Sequence, residues 1–223
     1  MDPWFRCGPL VARLENGRTL YEGVTVRLDE GEFVLLEGPS GTGKTTLLRA
    51  IAGLDPAQGA GRTLAGESFP ASVLPAWRAR VTWLAQDAPM LPGSVGENLV
   101  FPFRHRVGRG RRLDEARARD LLAGVGLGDL PWDRDARDLS GGERHRLALV
   151  RGMLWDPPVL LADEPFTGLD PDRARACRDL LVAWARRPGH AALVVLHDPE
   201  LGRGADRRLV LQDGRLREEG ALA

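Results

Sequence analysis

The sequence predicts an α/β fold with a mostly parallel sheet. Three observations carry that prediction. "FVLLE" (33–37), "VLLA" (159–162) and "ALVVL" (192–196) are apolar runs of strand length, as expected of strands covered on both faces. Helical patterns at 44–54, 141–155 and 172–187 alternate with strand patterns, which is the signature of parallel pairing through helical crossovers. A glycine-rich turn, "GPSGTGKT" (38–45), joins the first buried run to the first helix.

In chain order, "VTVRL" (24–28) alternates apolar and polar residues and reads as a half-buried strand. "FVLLE" follows, and "KTTLLRAIAGL" (44–54) reads as a helix closed by Gly53. "VTWLA" (81–85) is the next strand. Residues 87–112 are rich in Pro, Gly and Arg and read as loop. Amphipathic helices are expected at 113–126 and 141–155, then the strand "VLLA", the helix 172–187, "ALVVL" and "RLVLQ" (208–212). "QDGR" after that is a hairpin turn signal. The more helical middle reads as an insertion, and the chain carries no internal repeat or low-complexity tract.

The 223 residues suffice for one large domain. Formal net charge is +0, so nothing global points to nucleic acid or to an anionic membrane. Two cysteines, Cys7 and Cys177, make no disulfide framework and fit a reducing cytosol. The first ten residues lack the apolar stretch of a signal peptide, and no apolar run reaches the roughly 20 residues that span a bilayer. Work at a membrane would therefore need another chain as anchor. The basic run at 104–112 reads as a solvated surface loop, and the six tryptophans read as packing residues.

Of the 31 Lys and Arg residues, 30 are Arg; the one lysine is Lys44. It lies in Gly38-Pro39-Ser40-Gly41-Thr42-Gly43-Lys44-Thr45, which matches the phosphate-loop pattern G-x-x-x-x-G-K-[ST]. The glycines let successive backbone N–H groups turn toward phosphate oxygens, and the following helix adds its dipole. Thr45 offers a hydroxyl to Mg2+. Lys44 must reach the β- and γ-phosphates from the first helical turn, which suits a slim point charge and not the wide fork of Arg.

"VLLADEP" ends an apolar run in two acids, where ligands of such sheets bind. Asp163 is placed to hold Mg2+, and Glu164 to polarise a water for attack on the γ-phosphate. "LSGGE" (139–143) has the spacing of a capping box between Ser140 and Glu143. Gly141 and Gly142 exceed what a cap needs and suggest close approach of backbone to an anion. A second anion site beside one phosphate loop is explained if a second copy of the chain completes it.

Together, and in this order, the phosphate loop, "LSGGE", "LLADEP" and "LHD" resemble the ATP-binding subunit of ABC transporters, over nearly the whole chain. The resemblance implies a single ABC ATPase cassette over 1–223. Its phosphate-loop NTPase core would comprise 1–86 and 156–223, including an N-terminal antiparallel β subdomain. An inserted helical subdomain would span 87–155. It implies that residues 38 to 45, with Thr46, and Ser140, Gly141 and Gly142 bind nucleotide. It implies catalytic roles for Lys44, Glu164 and His197, and Mg2+ ligation by Thr45, Gln86 and Asp163. Gly168-Leu169-Asp170 resembles the loop that crosses to the other subunit of an ATP-sandwich dimer. The implied partners are a second copy and an integral membrane permease docking near Gln86, at the cytoplasmic face of the membrane. The stretch 86–103 is similar to exporter-type ATPases, and its "ENLVFPF" resembles the small ATPase subunits of iron exporters, which suggests export of a metal ion or small solute.

There are departures. Glu143 stands where Gln is usual, and "TGLD" where "SALD" is usual. The family stacks adenine on an aromatic residue where this chain has Leu14-Glu15-Asn16; Trp4, Phe5 and Tyr21 are the nearest rings. The expectation is weak discrimination between ATP and GTP. The rival readings are an ABC ATPase of cofactor assembly or repair without transport, and a small-molecule kinase. The kinase would have no reason for "LSGGE".

Overall fold

The computed structural model describes residues 3–14, 16–55, 60–104 and 110–220. Two sheets organise it. Strands β1 (Phe5–Arg13), β2 (Thr19–Leu28), β4 (Gly61–Leu64) and β5 (Glu67–Ser68) form an antiparallel sheet in the order β2-β1-β4-β5. Strands β3 (Phe33–Glu37), β6 (Val81–Leu84), β7 (Val159–Asp163), β8 (Ala191–Val195), β9 (Arg207–Gln212) and β10 (Arg215–Glu219) form the larger sheet, ordered β10-β9-β3-β8-β7-β6. Four of its five pairings are parallel; the fifth, β9 with β10 at the edge, is the antiparallel hairpin that "QDGR" announces. The α/β class and the antiparallel N-terminal sheet expected from the sequence are both present.

The larger sheet is covered on both faces, which is why β3, β7 and β8 are apolar runs without alternation. On one face lie α1 (Lys44–Ile51) and the antiparallel sheet, enclosing Phe5, Tyr21, Leu47 and Trp77. Trp77 belongs to α2 (Leu74–Arg80); its indole donates to the Ile51 carbonyl at 2.7 Å and so satisfies one of the carbonyls left open at the end of α1. On the other face lie α4 (Glu115–Gly124), α5 (Gly141–Trp155) and α6 (Pro171–Ala185).

Three segments depart from the sequence reading. Residues 87–112 are not all loop: α3 (Val95–Val100) starts at Ser94 with a full capping box to Glu97. That signal, S-x-x-E, stands in the sequence and the density of Pro and Gly around it masks it. Strand β1 has no clean alternation because the bulge around Gly8-Pro9 shifts its register against β2. Strands β4 and β5 are too short to read without their partners. The basic run is partly structural: Arg111 stacks 4.2 Å above the Trp155 ring, while residues 105–109 lie outside the described residues.

Candidate nucleotide site

Residues 38–43 connect β3 to α1 along the edge where the parallel strands end. Gly38 has φ +141°, and a Cβ there would lie 2.2 Å from the Leu211 carbonyl oxygen, so no other residue fits against β9. Gly43, with φ +98°, precedes α1 and offers no side-chain cap. The first N–H groups of α1 therefore remain available to an anion. The Lys44 ammonium, buried, donates to the carbonyls of Gly38 at 2.8 Å and Pro39 at 3.2 Å, folding over the loop that it closes.

One cavity of about 350 Å3 is lined together by Lys44, Thr45, Asp163, Glu164 and His197, with Ser40, Gly41, Gly43 and Thr46 from the loop and Leu14 and Leu20 at its margin. Asp163 ends β7 and is 1% exposed. Burial pushes its carboxyl above the ordinary value, against the pull of the Thr45 hydroxyl and Lys44. Its Oδ2 has no hydrogen-bond partner. A buried orphan oxygen costs free energy unless a ligand satisfies it. A second cavity opens on the same carboxylate and is lined by Thr45, Gln86 and Asp163. A hydroxyl, an amide oxygen and a carboxylate form an all-oxygen donor set, which fits Mg2+.

Glu164 has φ +49°, rare for a residue with a side chain and a mark of local strain. Its N–H donates to the Val195 carbonyl at 3.1 Å, which ties the turn to β8. The carboxylate is gripped on three sides. Gln86 Nε2 donates to Oε2 at 3.1 Å, the Thr167 hydroxyl to the same oxygen at 3.2 Å, and His197 Nε2 lies 2.8 Å from Oε1. Gln86 follows β6 and His197 follows β8, so strand order brings the three segments together.

The "LSGGE" segment lies apart from that cavity. Ser140 and Glu143 form the expected capping box: the Ser140 N–H donates to Glu143 at 2.8 Å and the Glu143 N–H to Ser140 Oγ at 3.2 Å. The Ser140 N–H holds the Glu143 carboxyl below its ordinary value despite partial burial, and Arg134 adds to it. Gly142 also has a reason within the chain, because a Cβ there would come 3.2 Å from Leu169. Gly141 is exposed and meets no such obstacle. Asp170 caps α6, accepting from the Arg173 N–H at 3.0 Å. Sequence reasoning missed His145, one ring nitrogen of which faces the Gly141 carbonyl at 2.9 Å and the other the Gln86 carbonyl at 2.8 Å. Its position four residues after Gly141 was the available signal.

A family model described as "ABC transporter" matches residues 21–167. The chain belongs to the ABC transporter family. It is 39% identical over 215 residues to an aliphatic sulfonates import ATP-binding protein of Cupriavidus necator, covering 96% of this chain and 68% of that one. It is also 39% identical over 211 residues to an Fe(3+) ions import ATP-binding protein of Streptomyces coelicolor, covering 92% and 58%. The chain thus spans little more than half the length of that second relative. A solved dimer of an ATP-binding cassette in a post-hydrolysis state, bound to ADP and Pi, superposes with a TM-score of 0.85 at 27% identity, covering 98% of this chain and 99% of that one. This ABC protein is an ATP-binding cassette with ATPase activity that serves transport. Both relatives are named for import, so the expected export direction finds no support in them.

Proposed function

We propose that this chain hydrolyses ATP as one of two copies that power uptake through a separate membrane subunit. The observation that supports it most is the single cavity shared by Lys44, Thr45, Asp163, Glu164 and His197. On ATP binding, Lys44 leaves the carbonyls of Gly38 and Pro39 for the β- and γ-phosphates, and the loop N–H groups hold the remaining oxygens. Mg2+ held by Thr45, Gln86 and Asp163 would neutralise charge on the phosphates. Glu164 takes the proton of the attacking water; His197 and Thr167 fix its orientation. The similar cassette that forms a dimer bound to ADP and Pi supports a two-fold assembly. In it, Ser140, Gly141 and Gly142, carried on the helical segment 87–155, would reach the partner's γ-phosphate, with Asp170 at the crossing.

Among the described residues, no helix is long and apolar enough to cross a membrane. The membrane subunit would dock beside Gln86, in a groove of about 780 Å3 whose walls include Trp83, Met90, Leu91, Phe101 and Trp155. The relatives' names support uptake, and the membrane subunit would choose the solute.

Glu164→Gln tests the reading. It should bind Mg-ATP yet hydrolyse it about 10²–10⁴-fold more slowly, since an amide is no base, and ATP should then accumulate a dimer on size-exclusion chromatography. Ser140→Arg should abolish that dimer while one chain still binds ATP. A Glu164→Gln protein that stays monomeric in ATP would refute the two-copy site.

A further inference from the structure

We infer that His145 is a positioning residue for hydrolysis: its ring fastens the backbone of Gln86 to the start of α5 and so keeps the Gln86 amide on Glu164. The inference rests on the proposed roles of Glu164 and Gln86 and adds the residue that orders them.

Gln86 needs a hold from outside its own strand. It lies past the end of β6 and is exposed, in a turn closed by the Ala88 N–H on the Ala85 carbonyl at 3.2 Å. Yet its amide has a defined task. Its Nε2 donates to Glu164 Oε2 at 3.1 Å, and the amide oxygen is left for the proposed metal. A long side chain gives up rotamer freedom to keep such a pose. Fixing the backbone that carries it removes part of that cost beforehand.

His145 supplies the hold. It lies one turn into α5 and is half-buried. Its Nε2 is 2.8 Å from the Gln86 carbonyl and its Nδ1 2.9 Å from the Gly141 carbonyl. These two acceptors are not equivalent. Gly141 stands four residues earlier in the same helix, where helix geometry already gives its carbonyl the His145 backbone N–H. The Gln86 carbonyl stands in a turn on another element, 59 positions away in sequence. With its proton on Nε2 the ring donates there and joins the two elements. His145 and Gln86 also line, with Thr45 and Asp163, one cavity of about 470 Å3. The tie therefore sits in the wall of the proposed metal site. Two bonds in series, His145 to Gln86 and Gln86 to Glu164, connect the helix that begins at Ser140 with the chain's own base.

His145→Ala should lower kcat for ATP about three- to tenfold, the range that one hydrogen bond sustains. ATP affinity measured in EDTA should stay unchanged, because the phosphate loop is untouched. Two conservative variants separate the two acceptors. A glutamine amide nitrogen falls near the place of Nε2 and an asparagine one near that of Nδ1, so His145→Gln should restore kcat to within about twofold and His145→Asn should not. Rescue by asparagine and not by glutamine would overturn the inference. A double-mutant cycle adds a second readout. In a Gln86→Ala background the amide is gone but the backbone carbonyl remains, so His145→Ala should there cost less than about twofold. Fully additive losses overturn the inference, as does ATP affinity that falls along with kcat, since either marks a role in the fold alone. The Gln86 side-chain NH2 resonances give a readout without turnover. They should shift in His145→Ala and His145→Asn and return in His145→Gln; resonances that ignore all three variants would place the hold on Gln86 elsewhere. A wild-type chain that hydrolyses no ATP would instead remove the reading of Glu164 on which the inference rests.

Discussion

Asp163→Asn should make the ligand-free protein more stable and the ligand-bound protein less so. The carboxylate is 1% exposed, its Oδ2 lacks a partner, and burial raises its pKa. A carboxyl whose pKa is raised by folding binds its proton more tightly in the folded chain. The ionised form present at pH 7 therefore opposes folding, increasingly as pH rises above the unfolded value. An isosteric amide removes that charge. An unsatisfied buried polar group costs about 1–3 kcal/mol. Asparagine still places a polar atom there, so the low end applies, a gain of about 1 kcal/mol. For a chain of this size that raises Tm by about 2–4 °C. With Mg-ATP at a hundred times its Kd, the wild type gains about 2.7 kcal/mol from ligand alone. The variant, lacking the carboxylate proposed to hold the metal, should gain far less, so the order of the two melting temperatures reverses. Differential scanning fluorimetry in EDTA and in Mg-ATP measures both halves, with hydrolysis suppressed by Glu164→Gln in each background. A lower Tm for the asparagine variant in EDTA, or equal gains from Mg-ATP in both proteins, would refute the assignment of that oxygen to a metal.

Two further outcomes are expected. Lys44→Arg should lose most ATP hydrolysis although it keeps the charge, because the guanidinium cannot occupy the space where Lys44 Nζ lies 2.8 Å from the Gly38 carbonyl; wild-type turnover would contradict this. Asp156, at the left-handed end of α5, is partly buried, yet Arg117 at 2.8 Å and Arg187 at 2.6 Å outweigh that burial and hold its carboxyl well below the usual range. Its pairing stabilises the fold above the ordinary carboxylate pKa and is lost as pH falls toward the depressed value. Asp156→Asn should cost about 1–2 kcal/mol at pH 7, at the low end for hydrogen bonds to charged groups because all three side chains are partly solvated. Urea unfolding should show that difference narrowing as pH drops below about 4.

The residues of the candidate site were legible because they are written in contiguous patterns. The phosphate loop, "LLADEP", "LSGGE" and "LHD" each depend on neighbours in sequence, since a loop that wraps a phosphate and a helix that caps itself are local structures. The bounds of β3 and α5 were legible for the same reason, the first as an uninterrupted apolar run and the second from its Ser140–Glu143 box. What required the folded chain was every relation across elements. The grip of Gln86, Thr167 and His197 on Glu164 arises from strand order, which no spacing reveals. The reason for Gly142 is Leu169, 27 positions away. Strands β4 and β5 exist only because β1 pairs with β4, a bond between residues more than 50 apart. Likewise, the sequence showed three aromatic residues close to the turn after β1, and only packing decided that Phe5 and Tyr21 are buried in the core while Leu14 stays exposed beside the nucleotide cavity. A side chain's identity fixes what it can do, but which of two faces it occupies depends on the apolar surface that the rest of the chain brings against it.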